Sequence, residues 1–131
     1  MSLIKNILLA VIAVVLAGNL FPVGITGAIL FLLFKMDKQL TWKYFNRVFY
    51  NIAKGIDVMG NFIMAPVFNL LLIKINESAY RFGKEGETIS SALGKNIRLN
   101  NLTMLGKGLN WVLNLFDKNH SIKSINEDIG V

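Results

Sequence analysis

The apolar and polar positions of this chain change their rhythm as it is read from one end to the other. Residues 3–34 are almost continuous hydrocarbon. Ile7 to Phe34 carries no charge, and Lys5 is the only charge between Leu3 and Phe34. Such a run prefers hydrocarbon, because each apolar side chain leaves water favourably and a helix satisfies its own backbone. About 20 residues cross the roughly 30 Å core of a bilayer, so the run is long enough to span one. Pro22, with Gly18, Gly24 and Gly27, lies inside it. A single tilted or kinked span accommodates these breakers. The alternative is a hairpin turning at residues 18–24, with arms short for a full crossing. A cleaved signal peptide ending near Ala17 fits less well, since the apolar run continues without pause.

Residues 41–75 switch to steps of three and four. Phe45, Val48, Ile52, Ile56, Met59 and Ile63 fall on one face, with Arg47, Asn51, Lys54 and Asn61 on the other. This predicts an amphipathic helix on a membrane or a partner. Pro66 should kink or restart it. Residues 62–73 are uncharged but short for a second span. Residues 76–101 are polar and read as a loop holding one short helix over 88–93, capped by Thr88 and ended by Gly94. Asn100 or Asn101 should open the next helix. There Leu102, Leu105, Leu109, Val112 and Phe116 recur at steps of three and four, Trp111 and Leu115 widen the apolar face, and Lys107, Asn110, Asn114, Asp117 and Lys118 face away. Ser121 should cap a last short helix running toward Asn126. No strand pattern emerges. The expected fold is all-α: a transmembrane segment (1–34), a basic aromatic interfacial helical region (35–75) and a small helical module (76–131).

Charge sharpens the membrane reading. The 131 residues carry 14 Lys and Arg against 8 Asp and Glu, a net charge of +6. A basic balance points to anionic lipid or to nucleic acid. No nucleic-acid recognition motif is present, so a bilayer with anionic headgroups is the expected partner. Cations follow the apolar run: Lys35, Lys38, Lys43, Arg47 and Lys54, against Asp37. The positive-inside rule then places the chain after residue 35 in the cytoplasm. Trp42, Tyr44, Phe45, Phe49 and Tyr50 interleave with those cations, as an interfacial aromatic belt does. The expected membrane-interface set is Lys35, Lys38, Trp42, Lys43, Tyr44, Phe45, Arg47, Phe49 and Tyr50.

Chemistry is sparse. There is no cysteine and one histidine, His120. Zinc and iron sites draw on several His or Cys ligands, so no metal or cofactor is expected. Serine catalysis would need Ser90 or Ser91 beside His120 and an acid such as Glu87, yet no nucleophile-elbow spacing surrounds them. Gly83-Lys84-Glu85-Gly86 lacks the spacing of a phosphate loop. A non-enzymatic protein is the expectation.

Two patterns carry a resemblance. They are GKEGETISSALGKN, from residue 83, and LGKGLNWVLNLFDKNHSIKSI, up to residue 125. The stretch resembles a group of small phage- and prophage-encoded proteins of unassigned role, with E-T-(L/I)-S, then Gly and a basic residue, then D-x-x-H-C. Glu87, Thr88, Ile89, Ser90, Gly94, Lys95, Asp117, Asn119, His120 and Ser124 occupy matching positions, and Ile56, Asp57 and Asn61 match its leader. Where the group carries Cys after His, this chain has Ser121. That favours a structural role for Glu87, Thr88, Ser90, Gly94, Asp117, His120 and Ser121. The resemblance implies a phage setting and does not cover the apolar start; with the apolar run and the basic belt, the expectation is a phage-encoded integral membrane protein: a structural part of a virion or its internal membrane, bound to other membrane or capsid proteins in a larger assembly. A holin-like lysis protein or an exclusion factor in the bacterial inner membrane is the alternative.

Overall fold

The structure, a computed structural model, describes residues 3–34 and 38–130, with the side chains of residues 32 and 38–41 outside that description. It is all-helical: α1 (Leu3–Phe34), α2 (Lys38–Ile63), α3 (Ala65–Leu71), α4 (Ile89–Arg98), α5 (Met104–Phe116) and α6 (His120–Lys123). The only extended pairing among the described residues is one antiparallel bridge, Ile73 with Leu102. Contacts divide the chain into Met1–Arg47 and Val48–Val131.

The first unit is dominated by α1, one helix of 32 residues with Pro22 inside it. The hairpin is the geometry it does not adopt. Proline at 22 removes one backbone donor. The nearby polar side chains turn back on the helix: Asn19 Nδ2 donates to the Val15 carbonyl at 2.7 Å and Thr26 Oγ1 to the Pro22 carbonyl at 2.7 Å. Both polar groups are thus satisfied within an apolar cylinder. Residues Leu3–Phe31 are long and apolar enough to cross a membrane, and none is buried by the protein itself.

In the second unit the last turns of α2 lead through Met64 into α3, where Pro66 lies in the first turn. Pro66 thus restarts the helix as its sequence predicts, since the missing N–H is free of an intrahelical partner there anyway. Leu72, Ile73, Phe82, Ala92, Leu93 and Leu102 form the buried core, with Phe68, Ile89, Leu109 and Leu113 packed around it. Phe68 and Phe82 meet edge to face at 5.4 Å. Seven buried polar residues accompany these six apolar ones: Asn61, Glu87, Ser90, Ser91, Asn96, Asn101 and Ser121. Hydrogen bonding therefore shapes this interior as much as apolar packing does.

Several sequence expectations change here. Ile56, Met59 and Ile63, on the apolar face expected to meet a membrane or a partner, are exposed, whereas Asn61, placed on the opposite polar face of α2, is fully buried. The reason is that the Asn61 carboxamide replaces backbone partners of the following loop. Gly94 does not end α4 but lies inside it, where a Cβ would collide with the Ser121 carbonyl. Bare backbone is what lets α6 pack on α4. Helix α5 starts at Met104 with Thr103 as its cap, not at Asn100 or Asn101. Asn100 instead takes a left-handed turn, φ 53°. Ser121 does not cap α6: Asn119, also left-handed, precedes the helix, and Ser121 is buried within it.

Candidate functional site: the Glu87–Lys95 network and the His120 cleft

Helix α4 is fixed first at its N-terminus. Thr88 Oγ1 accepts from the Ser91 N–H at 3.0 Å. Asp57, from α2, accepts from the Ile89 N–H and from Ser90 Oγ, both at 3.0 Å. Two orphan backbone donors are thereby satisfied and a negative charge meets the positive end of the helix dipole. The carboxylate of Glu87, just before the cap, turns inward and is fully buried.

Glu87 is held by three donors. Its Oε1 accepts from Ser91 Oγ at 2.8 Å and pairs with Lys95 Nζ at 2.8 Å, and its Oε2 accepts from the Tyr80 hydroxyl at 2.8 Å. An ammonium has three protons, and Lys95 places all of them: on Glu87, on Tyr80 Oη at 3.1 Å and on the Ile129 carbonyl. The same ammonium stands 4.4 Å from the Tyr80 ring centre. Ser91 Oγ also accepts from the Asn126 N–H at 3.0 Å, tying the C-terminal segment to α4. Burial pulls the Lys95 ammonium down, but Glu87 and Tyr80 outweigh it and hold its pKa above the ordinary value. Burial, then Glu87, pushes the Tyr80 phenol up against the opposing pull of Lys95. Both groups are kept protonated.

Three asparagines hold the loop over residues 80–87 against this network. Asn61 donates to the Glu87 carbonyl at 2.9 Å and accepts from the Gly83 N–H at 3.2 Å. Asn69 brackets Phe82 from both sides of its backbone, at 2.8 and 3.2 Å. Asn96 does the same for Tyr80, at 3.0 and 2.7 Å. A carboxamide offers a donor and an acceptor side by side, so each substitutes for a neighbouring strand. Gly83 (φ 94°) turns the loop where a side chain would collide with Ala65.

The second feature is an open cleft of about 380 Å³, lined by Tyr50, Lys54, Asp57, Thr88, His120 and Lys123 among others. Asp117 ends α5 and carries the local charge pairs, 2.6 Å from Lys123 Nζ and 3.4 Å from His120 Nδ1. Lys123, then His120, holds its carboxyl below the usual carboxylate range. Ser124 Oγ donates to the His120 carbonyl at 2.8 Å.

The residues marked by sequence fall into separate sets. Glu87 joins the buried network, Thr88 and Ser90 the α4 cap, Gly94 and Ser121 the α4–α6 contact, and His120 the cleft lining, with Asp117 paired to it. The serines are committed elsewhere than to His120: Ser90 donates to Asp57 and Ser91 to Glu87. Among the described residues no three His, Asp or Glu side chains converge as a metal group. Of the interface set, Trp42, Lys43, Tyr44, Arg47, Phe49 and Tyr50 are exposed, and Phe45 is half-buried with its ring 6.0 Å from that of Tyr44. Lys35 lies outside the described residues, as does the side chain of Lys38. Sequence reasoning missed Tyr80 and the paired roles of Asn61, Asn69 and Asn96. The signal it held was the four-residue spacing of Glu87, Ser91 and Lys95, the last two on one stripe of α4 and Glu87 just ahead of its cap.

No protein-family model, curated protein or solved structure matches the chain.

Proposed function

We propose that this chain is a non-enzymatic, membrane-anchored structural protein in which α1 spans a bilayer and residues 48–130 form a rigid helical platform for an assembly. The observation that carries the proposal is α1 itself: an uninterrupted apolar helix, unburied by the rest of the chain, with the Asn19 and Thr26 side chains in its apolar stretch bonded to its own backbone. Exposed in water, such a surface costs about 25 cal/mol per Å²; in lipid it costs nothing. The platform fits the reading, because its most buried ionic group has its hydrogen-bonding capacity used internally, which builds rigidity rather than a reactive centre. The cations after α1 set the cytoplasmic side for the module. The phage setting, in a virion or an internal membrane beside capsid or membrane proteins, rests on the ETIS and DKNHS patterns alone.

The test is fractionation of the host after expression, followed by mass spectrometry of purified particles. The proposal expects the chain to resist alkaline carbonate extraction and to co-purify with particles. Extraction into the soluble fraction overturns the anchor. Absence from particles, joined to abrupt depolarisation on expression, would replace the structural role by a holin-like one.

A further inference from the structure

Helix α5 is apolar around far more of its circumference than its core contact uses. Gly106, Leu109 and Leu113 face inward: Gly106 is buried, with the Leu72 carbonyl standing where its Cβ would go, and the two leucines pack on the core. At 100° per residue, Met104, Trp111 and Leu115 point nearly the opposite way, and Leu105, Val112 and Phe116 fill the arc between. All six are exposed, Trp111 by 63%, Phe116 by 87% and Met104 by 90%. Polar residues are confined to the strip of Lys107, Asn110 and Asn114. The patch extends past the start of the helix, because Thr103 Oγ1 is bonded to the carbonyl of Leu71, itself exposed. Trp111 and Phe116 alone leave on the order of 300 Å² of aromatic surface uncovered, which equals the largest apolar patch of an ordinary soluble monomer.

We infer that the outer face of α5 is an interfacial lipid-binding surface, laid into the headgroup boundary of the bilayer that α1 spans. The inference rests on the membrane-anchor reading above. Three features select lipid as the occupant. The module shares one chain with α1, so an α1 that spans a bilayer tethers the module to that bilayer at high effective concentration. An exposed tryptophan and a terminal phenylalanine flank a broad apolar arc, about 140° apart around the helix, and such side chains settle at headgroup level. Lys107 borders the apolar arc and Lys118 follows the helix, both exposed, with charges suited to anionic headgroups.

The test uses the full chain in vesicles of phosphatidylcholine and phosphatidylglycerol. Trp111 is made the sole tryptophan by Trp42→Phe, and its quenching is read with lipids brominated at different depths. The chain has no cysteine, so Ile12→Cys and Leu115→Cys serve as separate labelling reporters. Docking expects quenching of Trp111 emission by about half, strongest for bromines about 5–10 Å below the headgroups, and protection of Leu115→Cys from a water-soluble maleimide. Leu115→Glu with Phe116→Glu, both at exposed positions, should abolish the quenching. Unquenched Trp111 and labelled Leu115→Cys, with Ile12→Cys protected, overturn docking while the anchor stands. Labelling of Ile12→Cys as well overturns the anchor. Protection of Leu115→Cys without quenching, with disulfide-linked dimers, assigns the face to a second copy and also overturns docking.

Discussion

Replacing Lys95 with methionine tests the buried network most directly. Methionine matches the length and much of the volume of the lysine stem, so packing changes little. What changes is charge. Glu87 is fully buried and Lys95 supplies its counter-charge at 2.8 Å, so the variant strands a carboxylate in the interior. Removing one partner of a buried pair costs about 3–5 kcal/mol. Two features place this case at the low end. The Lys95 side chain keeps 11% exposure, so water can enter the vacated path, and Ser91 and Tyr80 still donate to the carboxylate. The expected loss is about 3 kcal/mol, against a total of about 5–15 kcal/mol for a typical domain. Hydrogen exchange read by mass spectrometry, on the full chain in lipid nanodiscs, reports it locally. The amides of α4 should exchange roughly 100-fold faster in Lys95→Met, since each 1.4 kcal/mol is tenfold, while α1 amides stay unchanged. Glu87→Gln added to Lys95→Met should recover more than half of the protection, because the neutral amide can still accept from Ser91 and meet Tyr80. If Lys95→Met alone leaves α4 protection within about threefold of the parent, the pair does not hold this helix and the account of the network is wrong.

Other outcomes follow from single residues. Gly106→Ala should lower the urea midpoint, costing about 1–3 kcal/mol or more, because the Leu72 carbonyl occupies the place of the new Cβ; Gly108→Ala, with nothing within 4 Å, should raise stability by about 1 kcal/mol. Equal effects at the two positions would refute the assigned orientation of α5. Asn61→Ala leaves the Glu87 carbonyl and the Gly83 N–H without partners and should cost about 2–3 kcal/mol, read as faster exchange across residues 80–88. Stability should also fall on the alkaline side. Lys95 and Tyr80 both hold their protons more tightly folded than unfolded, so the folded state binds the extra protons once the unfolded chain releases them, from about pH 10 upward. Their contribution is present below that pH and lost above it, and denaturation midpoints followed by near-ultraviolet circular dichroism from pH 8 to 11 should decline accordingly.

The parts of this fold legible in the sequence were those governed by periodicity and by local chemistry. Thr88 ahead of an apolar period marks a cap, Pro66 marks a helix restart, and an uncharged run of this length marks α1. What misled were residues whose roles are set by distant partners. Asn61 looks like a solvent-facing asparagine because its stripe on α2 is polar, yet its carboxamide is claimed by a loop more than twenty residues away. Gly94 resembles a helix terminator by type, but the constraint on it is the approach of the Ser121 backbone. Tyr80 carries no local signature. It becomes part of the site through Glu87, Lys95 and Ile129, which only the folded chain assembles.

The polar interior and the apolar exterior of the second unit have one physical explanation. In water, a module of this size would place its large aliphatic and aromatic side chains inside and leave asparagine and serine outside. Here Trp111, Leu115, Phe116, Met59, Phe62 and Ile63 are exposed, while Asn61, Asn96, Ser91 and Glu87 fill the interior. Such an interior remains stable only where every donor and acceptor finds a partner, which the Asn61, Asn69, Asn96 and Glu87 bonds supply almost throughout. The same outward apolar surface in bulk water would drive association. Against lipid it is a favourable boundary, and the proposed anchoring by α1 would supply that solvent. On that proposal the exposed apolar faces of α2 and α5 have the same explanation as the unburied length of α1, and the hydrogen-bonded core is what allows the module to keep a single shape with so little of its apolar surface turned inward.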